Sequence, residues 1–342
     1  MGSQQEAEPR RVEATAPTRI DLAGGTLDIW PLYLYHPGAT TVNVAIDRRA
    51  WCRVETGVSG VRIESRDGRE KVEGGTVDEL PGEGSTALVA HILRALGVRS
   101  GVSVETQSRV PAGSGLGGSS ALAVAVAAAV ARAIGRELDA EGLWPVVRDA
   151  EARCIGVPTG VQDYHAAIHG GILGLQLDPG GIGVARLPVD PARVEESLLL
   201  VDAGATRFSG INNWEVFKGQ IDGDAGVRLA LSGIRSAARG VRQALLDGDY
   251  DAVAPLMAEE WEARKRLAPG VTTPEIDAIV ETIRAAGGAA KVCGAGGGGM
   301  VAVWATPGPR GPGTRERVEE ALGRAGFNPA PFRVDLRGLA VE

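Results

Sequence analysis

The sequence predicts an α+β protein built as two domains. Three observations point there. The chain has 342 residues, more than one small core holds and suited to two domains of roughly 150 residues each. Strand-like patterns dominate the first half, and long helical patterns with a few strands fill the second. Between the halves, Pro179, Gly180, Gly181, Pro188 and Pro191 crowd residues 178–198, which places a boundary there and domains over 12–185 and 195–340.

In chain order, residues 1–11 are polar and expected to be disordered. A strand-like pattern begins at Val12. Residues 40–54 are rich in Thr, Val and Ile and read as a strand, as do 58–65. Leu88, Ile92, Leu93 and Leu96 fall at helical spacing, so 85–96 reads as a helix. Val102 and Val104 alternate within a strand over 101–108. An alanine-rich helix over 119–134 stops at Gly135, and another covers 140–154. Apolar runs at 170–177 and 198–203 read as buried strands. Helical patterns follow over 227–246, 252–267 and 274–286. Strand 300–305, helix 315–325 and a last strand at 332–336 complete the reading.

Composition narrows the function. Net charge is −7, and the basic residues are nearly all arginine, with Lys71, Lys218, Lys265 and Lys291 as the lysines. No basic tract is present, so nucleic acid is not an expected partner. Cys52, Cys154 and Cys293 are widely spaced, form no metal-ligand pattern and read as reduced thiols. Residues 1–11 lack the apolar region of a secretory signal. The longest strongly apolar run, 121–131, is about half a membrane span. No membrane association and a cytoplasmic location are expected.

The strongest chemical signal is V-P-A-G-S-G-L-G-G-S-S-A at 110–121. Small residues let the backbone approach a ligand and take positive φ. Successive N–H groups then form an anion nest, and the following helix adds its positive dipole end. Ser114, Ser119 and Ser120 offer hydroxyls to phosphate or magnesium. Two other readings exist. Residues 113–118 also fit G-x-G-x-x-G, with Asp139 about 20 residues on, but no strand separates that helix from Asp139, as a dinucleotide fold requires. The segment also reads as a glycine-rich turn before an alanine-rich helix. It lacks the lysine of a P-loop.

The same 111–121 stretch resembles the phosphate loop of the GHMP kinases, the galactokinase, homoserine kinase, mevalonate kinase and phosphomevalonate kinase family, whose usual form is P-x-G-x-G-L-G-S-S-A. One additional glycine precedes the serine pair here. That variant is similar to the D-glycero-D-manno-heptose 7-phosphate kinase and fucose kinase-like branch. A-P-T-R-I-D-L-A-G-G-T-L-D at 16–28 resembles that branch's first motif, with Leu27 interrupting its ending. K-V-C-G-A-G-G-G-G-M at 291–300 resembles the family's third, glycine-rich motif, and G-V-P-T-G-V-Q-D-Y-H at 156–165 its G-x-x-x-G-x-Q-D-x-[YH] stretch. With these in order, the resemblance spans nearly the whole chain.

The resemblance implies a two-domain GHMP kinase fold, with an N-terminal ribosomal protein S5 domain 2-like part that binds ATP and a C-terminal ferredoxin-like part. It implies that Pro111, Gly113, Ser114, Gly115, Leu116, Gly117, Gly118, Ser119 and Ser120 hold the ATP phosphates. It makes Asp163 the catalytic base, where residue type alone suggests a turn or cap residue. Arg19 would pair with Asp163 and help polarise the acceptor hydroxyl, with a surface salt bridge as the lesser alternative. Glu151, 12 residues before Asp163, and Ser120 would hold Mg2+; otherwise Glu151 is a solvated helix carboxylate. Gly25, Thr26, Asp28, Tyr164, His165, Arg207, Gly296 and Gly297, with Arg19, would contact the substrate.

The implied activity is that of a phosphotransferase with an alcohol acceptor, using ATP and Mg2+. The acceptor would be a sugar or sugar phosphate, phosphorylated at the anomeric oxygen, with a monomer or homodimer as the assembly. A galactokinase- or mevalonate kinase-type alcohol substrate is the alternative. An NAD-dependent oxidoreductase and a nucleotide-binding regulator without turnover stand further off.

Overall fold

A computed structural model describes residues 9–204, 213–308 and 313–342. Strands β1 (Arg11–Ala23) and β2 (Ala39–Thr56) pair antiparallel along their length and form the spine of an eight-stranded sheet. Their register shifts between Pro17 and Thr18, where proline cannot donate to the ladder. β2 is long enough to serve two neighbours. Its second half pairs with β5 (Val102–Ser108) and its first half with β6 (Ile172–Asp178). β3 (Val61–Ser65) and β4 (Glu70–Gly74) extend the sheet beyond β5, and β7 (Gly181–Arg186) extends it beyond β6.

Helices α1 (Ala87–Ala95), α2 (Gly118–Ala133), α3 (Ala140–Ile155) and α4 (Gln162–His169) belong to this half. α2 is buried on nearly every face and packs on β1, β2, α1, α3 and α4. Its alanines keep helix propensity high while letting so many neighbours come close. The predicted stop at Gly135, at φ +77, follows directly after the helix.

The second half continues with α5 (Pro191–Ser197), β8 (Leu198–Asp202), α6 (Asn213–Asp222), α7 (Ala225–Asp247), α8 (Val253–Arg264), α9 (Pro274–Ala285), β9 (Ala289–Val292), β10 (Met300–Trp304) and α10 (Thr314–Arg324). β8, β10 and β9 form an antiparallel three-stranded sheet in that order. α7 is amphipathic and lies against β1, β2 and α8, and α8 in turn packs on β9 and β10 of the second sheet.

The expected strand at 332–336 does not form. Val334 makes a single bridge to Ile46, and the last strand is β11 (Ala340–Val341), added to the edge of β1. The chain therefore ends on the first sheet. Among the described residues, no helix is long and apolar enough to cross a membrane.

Candidate active site

The strand period sets the first two groups. Arg19 and Asp21 are two residues apart on β1, so both side chains leave the same face of the sheet, and both are buried. Arg19 Nε donates to Asp163 Oδ1 at 2.6 Å. Its Nη1 donates to Gly115 O at 2.5 Å and to Cys293 O at 3.0 Å, and its backbone N–H reaches Leu116 O at 2.9 Å. One arginine thus joins the 110–117 loop, the 293–299 loop and the first turn of α4. Burial opposes its charge, and the Asp163 and Asp21 carboxylates outweigh that, holding the guanidinium above its ordinary pKa.

The 110–117 loop joins β5 to α2. Gly113, Gly115 and Gly117 alternate in the left-handed region, at φ +77, +76 and +71, as an anion nest requires. Leu116 is fully buried and anchors the loop, while Pro111, Gly113 and Ser119 are exposed. A Cβ on Gly115 would stand 2.9 Å from Gly294 N, and one on Gly117 2.9 Å from Asp163 Oδ2. The start of α2 therefore abuts the Asp163 carboxylate. Gly118 opens the helix where a Cβ would meet Val110. Asp139, the acid a dinucleotide reading would need, instead caps α3, its Oδ1 accepting from Gly142 N at 2.8 Å. The oxidoreductase reading falls with it.

Ser120 Oγ donates to Glu151 Oε2 at 2.8 Å, and the Tyr164 hydroxyl donates to the same oxygen at 2.7 Å. Burial pushes the Glu151 carboxyl up. No cation pairs with it among the described residues; its neighbours are hydroxyls. A buried carboxylate with only neutral partners beside a phosphate-type nest fits magnesium, which Glu151 and Ser120 would hold.

A cavity of about 230 Å³ lies between these groups. Arg19, Asp28, Ser120, Glu151 and Asp163 line it, together with Gly25 and Thr26 of the turn after β1. Thr26 holds φ +78, an uncommon state for a β-branched residue. Asp28 is buried, and its Oδ2 accepts from Gln162 N at 2.9 Å. Gly160 leaves room for that carboxyl, since a Cβ there would approach within 2.3 Å. Burial raises Asp28 to about 6, with Asp163 and Asp21 adding to the effect.

Other expected residues sit elsewhere. Tyr164 is fully buried and acts on Glu151, not on the cavity. His165 is fully buried between Trp144 and His169, and burial lowers it to about 4; it packs as a core residue. Gly296 and Gly297 pack on the carbonyl of Val271, and the loop instead reaches the cavity through Cys293, Gly294 and Ala295. Arg207 lies outside the described residues.

Sequence reasoning missed a charged group behind the cavity. Lys291 Nζ on β9 lies 2.9 Å from Asp21 Oδ2 and 3.0 Å from Glu260 Oε1. Arg264 Nη2 lies 2.5 Å from Glu260 Oε1 and donates to Gly25 O at 2.9 Å, while its Nη1 donates to Thr26 Oγ1 at 3.2 Å. All four charged side chains are buried. Burial alone would raise Glu260, but Arg264 and Lys291 outweigh it and hold the carboxyl below its ordinary value. A lysine in the otherwise apolar strand A-A-K-V was the available signal.

Comparison with known proteins decides the family. Residues 85–171 match the model of the GHMP kinases N terminal domain, and residues 241–328 match that of the GHMP kinases C terminal domain. The chain belongs to the GHMP kinases. Members of this family are ATP-using phosphotransferases acting on hydroxyl groups. This GHMP kinase is 26% identical to the D-glycero-alpha-D-manno-heptose 7-phosphate kinase of Campylobacter jejuni, over 87% of this chain and 90% of that protein. It is 29% identical to the mevalonate kinase of Aeropyrum pernix, over 85% and 88%. The bifunctional fucokinase/GDP-fucose pyrophosphorylase of Arabidopsis thaliana is 27% identical over 92% of this chain, which spans 32% of that protein's length. Among solved structures, a D-glycero-D-manno-heptose 1-phosphate kinase from Bacteroides thetaiotaomicron superposes with TM-score 0.74, at 24% identity over 97% of this chain and 98% of that one. A Lactococcus lactis galactokinase complexed with galactose gives 0.73, at 16% identity over 98% and 95%.

Proposed function

We propose that this GHMP kinase transfers the terminal phosphoryl group of ATP to a hydroxyl of a sugar, with Asp163 as the base. The observation that carries this reading is the placement of Asp163: one oxygen is held by Arg19, and the other abuts Gly117 at the start of α2. A phosphate cradled by the 110–117 loop and an acceptor hydroxyl in the cavity would then meet at this carboxylate. Phosphoryl transfer has a loose transition state, so positioning and charge neutralisation supply most of the rate. Loop N–H groups and Arg19 perform that here, and Asp163 accepts the acceptor's proton. Glu151 and Ser120 would hold magnesium, which screens the phosphate charges when bound. In this reading residues 12–185 supply the nest, the base and the metal ligands, and residues 195–340 supply Arg264, Lys291 and the 293–299 loop.

The cavity favours an uncharged sugar over a sugar phosphate. Among the described residues, Asp21, Asp28, Glu151 and Asp163 line it against Arg19 and Arg264, and both guanidiniums are already engaged by carboxylates. Against these described residues a second phosphate or carboxylate on the acceptor would face an acidic wall; Arg207, which the sequence analysis placed at the substrate, lies outside the described residues. The anomeric hydroxyl is the expected acceptor, on the likeness to the heptose and fucose kinase branch. The test is ADP release with Mg-ATP across neutral sugars, sugar phosphates and mevalonate-type alcohols. Neutral sugars should turn over best. Preference for mevalonate-type alcohols, or no ADP release with any acceptor, overturns the sugar kinase reading.

A further inference from the structure

We propose a second anion site on α7, away from the catalytic cavity, that takes a small phosphate-bearing ligand. Arg239 and Arg242 line a separate depression of about 430 Å³ with Gly38, Thr40, Gln176 and Gln243. None of these residues lines the cavity around Asp163.

Arg235, Arg239 and Arg242 follow one another at spacings of four and three, so they share a face of α7. None has a hydrogen-bond or ion-pair partner among the described residues, and the Arg235 Nε is buried without an acceptor. Arg228, earlier on the same helix, contrasts with them, since its Nε and Nη2 both donate to Gln220 O. Three like charges along one helix face repel one another, and no carboxylate among the described residues pairs with them. The chain as a whole is acidic, at −7, so the patch does not follow from bulk composition. No aspartate or glutamate lines the depression. Asp247, one turn beyond, is taken up by Gln243 Nε2 at 2.8 Å.

The shape is as specific as the charge. A Cβ on Gly174 of β6 would stand 3.1 Å from Arg242 Nε, and one on Gly38 would stand 3.5 Å from Arg239 Nη1. The two side chains therefore lie along bare backbone, one over β6 and the other over the turn that enters β2. Two planar guanidinium forks at the rim of one concave, acid-free surface match the oxygens of a phosphate group, which arginine binds bidentately. The neighbouring Gln176 side chain is exposed and offers an amide to the remainder of the ligand.

Inorganic phosphate titrated into the full chain tests the site, at constant ionic strength with chloride as the balancing anion. Binding is read by calorimetry and 31P line broadening, with and without a saturating non-hydrolysable Mg-ATP analogue. The analogue separates this site from the 110–117 loop. Wild type should show saturable phosphate binding that persists under the analogue. The Arg239→Ala/Arg242→Ala double variant should lose at least about tenfold in that affinity, with its thermal unfolding unchanged. Arg242→Lys, which keeps charge but not the fork, should fall between them. Equal phosphate binding by wild type and the double variant overturns the proposal, as does the absence of saturable binding in wild type. Failure of the analogue to bind would instead count against the kinase reading, and the difference between wild type and the double variant would still report on this site.

Discussion

Replacing Gly117 with alanine separates the geometry of the reacting centre from the stability of the fold. Gly117 sits at φ +71 immediately before α2, and a Cβ there would stand 2.9 Å from Asp163 Oδ2 and 3.1 Å from Asp163 Cγ. Two costs follow. The left-handed backbone costs an alanine about 1–2 kcal/mol, which lowers the melting temperature by a few degrees in a protein of this size. The steric cost falls on the carboxylate, which must retreat by roughly half an ångström to restore ordinary contact, against the pull of Arg19. Misplacement of a reacting group by about 1 Å can cost about 100-fold, so turnover should fall about 10- to 100-fold. Gly135→Ala is the control. It lies at φ +77 beyond the other end of α2, where a Cβ would meet only the Arg10 side chain, at 3.3 Å. It should show a comparable stability loss with normal turnover. Urea unfolding and coupled ADP release on both variants read the two quantities. If Gly117→Ala loses stability as the control does yet turns over like wild type, Asp163 is not at the reacting centre.

Four further outcomes are expected. Asp163→Asn should lower turnover about 10²–10⁴-fold while calorimetry shows Mg-ATP affinity retained. Glu151→Gln should raise the magnesium concentration for half-maximal turnover by at least about tenfold, read from rate against Mg2+ at fixed ATP. Asp28 is raised from 3.8 to about 6 in the folded state, so its proton is held more tightly folded than unfolded. Its ionisation therefore costs stability, by about 3 kcal/mol above pH 6, and that cost disappears below pH 4. Asp28→Asn should accordingly be more stable than wild type at pH 7 and equal to it below pH 4, as paired urea titrations would show. Lys291→Met leaves Asp21 and Glu260 to share Arg264, and should cost about 3–5 kcal/mol in urea unfolding.

What the sequence disclosed depends on how local each cause is. The 110–121 loop was readable because a nest, a left-handed backbone and a helix start all demand small residues in one run. The Ala-rich α2 and its stop at Gly135 were readable for the same reason. Asp163 was singled out as a base only through family likeness, since an aspartate near glycines more often belongs to a turn. α4, β4, β7 and β9 are too short to show a period. Residues 332–336 look like a strand by composition, but β11 rather than this segment joins the edge of β1. The Asp21–Lys291 contact joins residues 270 apart, and no window along the chain can reveal it. His165 looked available because a polar residue in a motif suggests contact, yet its helix turns it into the core.

The buried quartet of Asp21, Glu260, Arg264 and Lys291 has an evolutionary consequence. It clamps the back of the pocket from β1, α8 and β9 at once, so that wall is finished when the polypeptide folds and a visiting molecule has little power to reshape it. A lineage exploring new acceptors would find those positions closed to drift, because each change there would be tested first by folding. Diversification would be channelled to positions such as Ile155, an exposed residue of the cavity lining that holds no interior charge.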